Sequence, residues 1–232
     1  MLFLTLIIEA MPFWKAAIYM GLSMIVIFAM IGAGSYIFIR LLAHFINSRR
    51  DSWVDTGTSL GLSPDPSKGV MLKSLTGKRG EHIVNVEPYA VPTGRYSSDA
   101  YAAVEVLFQT PLDFSLTISK PEMLYQKVAG LFDSSEVELG MGAFDKAFKV
   151  NCSHPRSLHE LLTFEMLDGQ SPTLLTDLMH ANKKYHRIKI TDRSVCLGVR
   201  AELDDVSAVE GTIEKTIYLA DRVAEARRRI AE

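Results

Sequence analysis

One cysteine and two histidines stand close together in the middle of the chain, at Cys152, His154 and His159. Thiolate sulfur and imidazole nitrogen are ligands that suit zinc. Their spacing matches no standard zinc motif, and a polar loop with one buried thiol explains the same residues. Folding would have to supply a fourth ligand from His180, His186 or Cys196. We keep the three as candidate metal ligands and predict that the chain holds neither metal nor cofactor.

Acidic residues offer a second kind of chemistry, at Glu136 and Glu138 and at Asp204-Asp205. Acids at helix starts are favoured by the helix dipole alone, and neither pair has a nucleophile or base that the sequence can place beside it. Asp145 stands between two phenylalanines and is interpreted as a residue that faces solvent or accepts turn hydrogen bonds.

Several common catalytic motifs are missing. The sequence has no G-x-x-x-x-G-K-S/T phosphate loop, no H-E-x-x-H and no C-x-x-C. Gly140 and Gly142 form a G-x-G, but the third glycine of a dinucleotide-binding turn is absent. The sequence therefore predicts a protein that is not an enzyme.

The charge of the chain is unevenly distributed. Its formal net charge is −2, and the first 50 residues hold four of the 25 Lys/Arg but one of the 27 Asp/Glu, so the remainder is near −5. A mildly acidic domain is a poor match to phosphate backbones, which argues against a nucleic-acid partner. The two cysteines are predicted to be reduced, packed thiols.

An uncharged apolar segment of 24 residues runs from Ala16 to Ile39. As a helix it would be roughly 36 Å long, which exceeds the roughly 30 Å of bilayer hydrocarbon. A buried core helix would be shorter, and a cleaved signal peptide would begin with basic residues, whereas Glu9 precedes Lys15 here. We predict one uncleaved transmembrane helix, spanning about 16–39 within residues 1–50.

Basic residues flank this helix unequally. Arg40, Arg49 and Arg50 follow it, whereas Lys15 and the α-amino group precede it. The positive-inside rule therefore predicts an inner-membrane protein with its N-terminus outside and its C-terminal domain in the cytoplasm. Candidate contacts with lipid headgroups are Arg40, Arg49, Arg50, Arg227, Arg228 and Arg229. A solvated helix end is the alternative for the last three.

Small residues recur within the transmembrane segment at a spacing of four. Such residues let two membrane helices approach closely, although they also fit ordinary transmembrane composition. The candidate helix-packing positions are Ala17, Gly21, Ala29, Gly32 and Ala33.

Beyond the membrane segment, the pattern predicts an α+β fold: a juxtamembrane helix or linker at 51–69 and a soluble domain at 70–232. Alternating apolar residues predict an antiparallel meander of about four strands, in VMLKSLTGKRGEHIVNVEPYAV, AYAAVEVLFQ and DFSLTIS. A second hairpin is predicted in RIKIT and SVCLGVR, and AFDKAF is predicted to be an extended strand with a kink.

Helices are predicted to pack on these strands. They are assigned to PEMLYQKVAGLF, HPRSLHELL, SPTLLTDLMHANKKY and a long C-terminal helix from Asp204 to Ile230. Proline stands near the start of the first three, where its missing N–H is tolerated, and Ser171 is the expected N-cap of the third.

The segment LFDSSEVELGMGAFDKAFKV and the elements after it resemble an uncharacterised bacterial family of membrane-tethered proteins. The matching residues are Gly140, Phe144, Asp145, Phe148, Val150, Leu161, Leu162, Thr191, Asp192 and Val195. The resemblance extends from about Asp51 to the end of the chain. It implies one or two N-terminal transmembrane helices followed by an α+β domain, and it supplies no catalytic residues.

These features favour a non-enzymatic accessory or scaffold subunit that associates with other membrane proteins or with itself. A membrane-tethered module that senses a small ligand or a lipid headgroup is the alternative. An enzyme of unidentified type is the third hypothesis.

Overall fold

The computed structural model describes residues 13–65, 74–93, 97–120, 137–165, 173–200 and 205–231. The helix predicted at 121–132 and the apolar N-terminal segment before residue 13 lie outside these ranges. The chain divides into two compact units, Met1–Arg49 and Arg50–Glu232. The predicted α+β class is confirmed.

Helix α1, Phe13–Ser59, contains the apolar segment. Every side chain from Ala17 to Phe45 is exposed, and large hydrophobic residues occupy all sides of the helix. A helix apolar all around and uncovered by its own chain is typical of one surrounded by lipid. By length and composition, this one N-terminal helix could cross a membrane.

The second unit begins with the last turns of α1. Trp53 is 1% exposed there, and Leu60 and Leu62 are buried as well. The described part of the segment 51–69 therefore contributes to the core of the α+β unit.

Within the described residues, eight antiparallel strands form one sheet in the order β1-β2-β3-β4-β8-β7-β5-β6. The strands are β1 Ser63–Pro64, β2 Leu75–Arg79, β3 His82–Pro92, β4 Ser98–Leu107, β5 Leu116–Ser119, β6 Lys149–Cys152, β7 Arg187–Thr191 and β8 Ser194–Arg200. Both predicted hairpins are present, as β2-β3 and β7-β8. The first turns at Gly80, whose φ of 59° is in the region that favours glycine.

The prediction of a four-strand meander is wrong at its fourth strand. β2, β3 and β4 follow one another, but β8 and β7 lie between β4 and β5. The reason is burial: Val195 and Leu197 of β8 are both 0% exposed beside β4, and an apolar hairpin gains most at the centre of a sheet.

In the described parts of the chain, the helices after α1 are α2 Ala143–Ala147, α3 Pro155–Thr163, α4 Leu174–Lys184 and α5 Val206–Ala231. The last three agree with their predictions, but AFDKAF forms α2 and not a kinked strand. The Asp145 carboxylate accepts hydrogen bonds from the N–H groups of Leu139, at 3.2 Å, and Met141, at 2.7 Å. Those bonds stabilise a tight turn into the helix, which places Phe144 and Phe148 on one buried side.

The starts of α4 and α5 are capped by side chains. Thr173 caps α4, since its hydroxyl accepts from the N–H of Thr176 at 3.2 Å, so the prediction of Ser171 is wrong by two residues. Asp205 accepts from the N–H of Ala208 at 3.0 Å and so caps α5. Capping explains Asp205 without any catalytic role.

Candidate functional site

The two faces of the sheet are covered differently. Alternate residues of the central strands point into a core that they share with the helices, and we call this side the inner face. Its central residues are Val84, Val86, Val104, Val106, Val195 and Leu197. The intervening residues point to the other side, the outer face, and none of them belongs to that core. Among the described elements of the second unit, the helices therefore pack on the inner face.

Two cross-strand rows form the centre of the outer face. The first row is Glu87, Ala103, Gly198 and Arg187, on β3, β4, β8 and β7. The second row is Asn85, Glu105, Cys196 and Lys189, on the same strands. The carboxylates of both rows lie on β3 and β4, and the cations of both rows lie on β7. The centre of the outer face therefore has an acidic half and a basic half.

An aromatic cluster lies over the first row. A Cβ at Gly198 would overlap the Tyr89 hydroxyl oxygen, so the Tyr89 side chain reaches from β3 across to β8. The Tyr101 ring stacks on Tyr89 with centroids 5.4 Å apart, and the His186 ring lies 4.6 Å from Tyr101. The Arg187 guanidinium carbon lies 4.2 Å from the Tyr89 centroid, within cation–π range.

Much of this surface remains accessible to another molecule. Glu87 and Lys189 are exposed, Ile83 is 44% exposed, and Tyr89 and Tyr101 are half-buried. Tyrosine and arginine are the residues most often found at the energetic centres of protein interfaces. This mixture of rigid rings and opposite charges is suited to contact with a protein surface.

The polar groups beneath the surface are not arranged for catalysis. Burial raises the pKa of the Cys196 thiol to about 11, with Arg187 acting in the opposite direction and Glu105 acting with burial. The thiol is therefore protonated at neutral pH and is a poor nucleophile. The Ser194 hydroxyl is 5% exposed and donates to Glu105 at 2.8 Å, so this carboxylate has a structural partner.

A second polar cluster is buried between α4 and α5. Asp177 is 3% exposed, and its carboxylate lies 3.2 Å from Arg222 Nε and 3.3 Å from Lys215 Nζ. The Tyr218 hydroxyl donates to the same carboxylate at 3.2 Å. A buried carboxylate held by two cations and a phenol joins the two helices and leaves no oxygen for proton transfer to a substrate.

The structure does not assemble the candidate metal ligands. Cys152 is buried on the inner face and accepts a hydrogen bond from the backbone N–H of His154 at 3.3 Å. Burial raises the pKa of its thiol. The side chains of His154 and His159 are exposed. Within the described ranges, no group of three or more His, Cys, Asp or Glu could hold a metal ion. Cys196 lies on the outer face, so it cannot join Cys152.

The predicted helix-packing residues lie on the exposed part of α1. Ala17, Gly21, Ala29, Gly32 and Ala33 are all exposed. A Cβ built at Gly21 or Gly32 meets no atom within 4 Å. Nothing in the described chain covers these positions, and helix packing there stays a prediction.

Two of the arginines after the predicted membrane segment contact aromatic residues one turn earlier. Arg40 Nε donates to the Tyr36 hydroxyl at 3.1 Å, and the Arg49 guanidinium lies 4.6 Å from the Phe45 centroid. Rings and cations of this kind prefer the membrane interface. Arg50 is exposed, and lipid contact at all three arginines stays a prediction.

The C-terminal arginines differ from one another. Arg227 forms two hydrogen bonds with the Asp113 carboxylate, at 2.7 and 3.3 Å, so its guanidinium is engaged within the protein. Arg229 pairs with Glu225 at 2.5 Å, and Arg228 is exposed. Contact of this group with lipid also stays a prediction.

Sequence reasoning missed the outer-face cluster. Its signal was present in the alternation of NVEPY and AYAAVEV, where Glu and Tyr occupy the positions between the buried valines. Which residues join across strands depends on register, and the insertion of β7-β8 beside β4 brings Arg187 into the cluster.

No family model matches the chain, and no curated protein matches it significantly. Among solved structures, the crystal structure of the mycobacterial trehalose monomycolate transport factor A, TtfA, has 11% sequence identity and a TM-score of 0.43. The similarity covers 79% of this chain and 94% of that one. At this level of similarity the comparison assigns neither a family nor a function to the chain.

Proposed function

We propose that this chain is a membrane-anchored, non-enzymatic accessory protein that works by binding another protein through the outer face of its sheet. The observation that carries the proposal is the half-exposed cluster of Tyr89, Tyr101 and Arg187, flanked by exposed charges of both signs. Large rings and a guanidinium already packed against one another lose little conformational entropy when a partner covers them.

The exposed apolar surface of α1 supports the anchoring part of the proposal. From Ile18 to Phe45 the helix presents large hydrophobic side chains to its surroundings, and such a surface is stable only when lipid or another apolar surface covers it. The span proposed is 16–39, in the inner membrane, with the N-terminus outside and the domain in the cytoplasm. Both described cysteines are free, as a reducing compartment would require.

The chemistry of the outer face supports a binding role over catalysis. The thiol of Cys196 is protonated at neutral pH, because burial raises its pKa to about 11, and the Ser194 hydroxyl is buried. Neither has a histidine placed to activate it within the hydrogen bonds of the described residues. A surface of this kind can recognise a partner without changing it chemically.

We also propose that the chain belongs with the membrane-tethered family that its sequence resembles. The matching residues act in the core of the domain: Phe144, Phe148 and Val150 are buried, and Asp145 fixes the turn before α2. A motif of residues that maintain the fold implies that members of the family share that fold. The residues of the outer face can differ between members.

The particle size of the full-length chain, extracted from membranes in a mild detergent, tests the proposal. We expect a complex larger than one chain in its micelle, and we expect Lys189→Glu to reduce its size. Lys146→Glu is the matched control, since Lys146 is also exposed but lies on α2. A particle of one chain, unaffected by either change, would contradict the proposal.

A further inference from the structure

We propose that the outer face binds the same face of a second copy of this chain, as a two-fold symmetric dimer whose axis runs along the strands between β4 and β8. The inference rests on the proposed function, since it names the partner of that surface. It is carried by the juxtaposition of the acidic half of the face, on β3 and β4, with its basic half, on β7.

The first cross-strand row gives the charge argument. Glu87 is at one end of the row and Arg187 is at the other, with Ala103 and Gly198 between them. In a two-fold dimer, residue i of one copy meets residue j of the other, and j meets i. Rotation about an axis through the middle of the row therefore places Glu87 opposite the partner's Arg187, and the same contact forms twice.

The second row is consistent with the same axis. Its order across the strands is Asn85, Glu105, Cys196 and Lys189. The rotation brings the partner's Lys189 opposite Asn85, beside Glu87 on the same strand. No acidic residue of either row then faces an acidic residue of the partner, and no cation faces a cation.

The dimensions of the row permit these contacts. Neighbouring strands lie about 4.8 Å apart, so the backbones of Glu87 and Arg187 are separated by roughly 14 Å across the sheet. Packed sheets lie about 10 Å apart, a distance that two facing long side chains span. The small side chains at the centre of the row leave room for the Tyr89 ring, so the Tyr89 rings of the two copies meet near the axis.

Charge balance favours a second copy over other occupants. Glu87 and Glu105 equal Arg187 and Lys189 in number, so the two rows have no net charge that would attract an anionic bilayer or a strongly charged chain. The face is complementary to its own rotated image. Anchoring in one membrane also raises the effective concentration of copies.

A heterodimer rescue tests the proposal in the full-length chain, in detergent or lipid nanodiscs, by light scattering and by energy transfer between differently labelled copies. The wild type is expected to dimerise. Glu87→Arg alone and Arg187→Glu alone are each expected to weaken dimerisation by at least about tenfold, because two attractive contacts become repulsive. Mixing the two variants is expected to restore the dimer. In the mixed pair, the cation introduced by Glu87→Arg meets the carboxylate introduced by Arg187→Glu, and the second contact keeps the native Glu87 and Arg187.

This rescue in trans cannot result from repair of folding within one chain. Thermal unfolding of each variant alone shows whether the domain is intact, and Glu214→Arg, an exposed charge change on α5, is expected to leave dimerisation unchanged. Failure of the mixture to dimerise would overturn the inference. If wild-type particles then contain another protein that Lys189→Glu releases, the proposed function stands without the dimer. If wild-type particles contain one chain alone, both proposals fail.

Discussion

Arg222 of α5 and Asp177 of α4 form a buried ion pair, with Nε and Oδ2 separated by 3.2 Å and the two side chains 5% and 4% exposed. Their contact fixes α4 against α5, since a carboxylate so deeply buried needs its charge neutralised by the facing helix.

Asp177→Ala is expected to lower the free energy of unfolding by about 3–5 kcal/mol, because it leaves the Arg222 guanidinium buried without this counter-charge. Lys215→Met is expected to have a much smaller effect, because the Lys215 side chain is 32% exposed and water can replace the lost contact. Chemical unfolding of the full-length chain in detergent, followed by tryptophan fluorescence of Trp53, measures both. The double variant Asp177→Leu with Arg222→Met should recover most of the stability; equal losses in the single and double variants would contradict this account.

Gly198→Ala and Gly211→Ala are expected to change stability in opposite directions. At Gly198 a Cβ would overlap the Tyr89 hydroxyl and would lie 2.7 Å from Arg187 Cβ, so about 1–3 kcal/mol is lost to crowding. At Gly211, within α5, a Cβ meets nothing within 4 Å, and alanine should stabilise the helix by about 0.5–1 kcal/mol. Thermal unfolding of the two variants checks the signs, and a neutral Gly198→Ala would show that Tyr89 does not lie across the sheet.

Alkylation of the Cys196 thiol is expected to be slow at pH 8 and to accelerate about tenfold per pH unit until the pH approaches 11. Burial raises the pKa to about 11, so the thiolate is the minor form below that value and its fraction rises with pH. Mass spectrometry of the folded chain after iodoacetamide treatment at several pH values measures this rate. Cys152→Ser isolates the signal. A plateau in the rate near pH 9 would mean that burial does not protect this thiol.

Local patterns in the sequence predicted the elements well, because their signals are contained in single segments. The C-terminal helix shows this: Val209, Ile213, Ala220 and Val223 recur at helical spacing, and all four are buried. The assignment of AFDKAF to a strand was wrong because its conformation depends on a hydrogen bond to a preceding residue. The Asp145 carboxylate accepts from the backbone N–H of Met141. Aromatic content alone does not reveal such a bond.

Contacts between distant segments were not predictable in the same way. The order of strands depends on pairing between segments that are far apart in the chain, and here β8 pairs with β4. The outer face follows from that pairing: Glu87 and Arg187 are 100 positions apart in the chain yet lie in one cross-strand row. Alternation predicts which residues of a strand lie on the same side of the sheet, but it does not predict the order of the strands between them.

Arg227→Gln is expected to loosen the end of α5 from the loop before β5, where the guanidinium binds Asp113 and also the carbonyl of Thr110 at 3.3 Å. The loss of stability should be small, about 0.2–1 kcal/mol, because the Asp113 side chain is 78% exposed. Hydrogen exchange at the end of α5 should nevertheless increase. Arg228→Gln is the control, since Arg228 is exposed, and it should leave exchange unchanged. If exchange at the end of α5 increased in Arg228→Gln but not in Arg227→Gln, Arg227 would not be the residue that holds the helix end.

Ile27→Arg is expected to weaken membrane insertion of α1. Ile27 lies near the middle of the proposed span and is 47% exposed, so its replacement places a charge close to the bilayer centre at a cost of about 2.5–3.5 kcal/mol. Alkaline extraction of membranes should release a larger fraction of this variant than of the wild type. Ile83→Arg is the matched control, because Ile83 is similarly exposed, at 44%, but belongs to β3. If alkali extracted the wild-type chain as readily as a peripheral protein, the transmembrane anchor would be ruled out, whatever the behaviour of the variants.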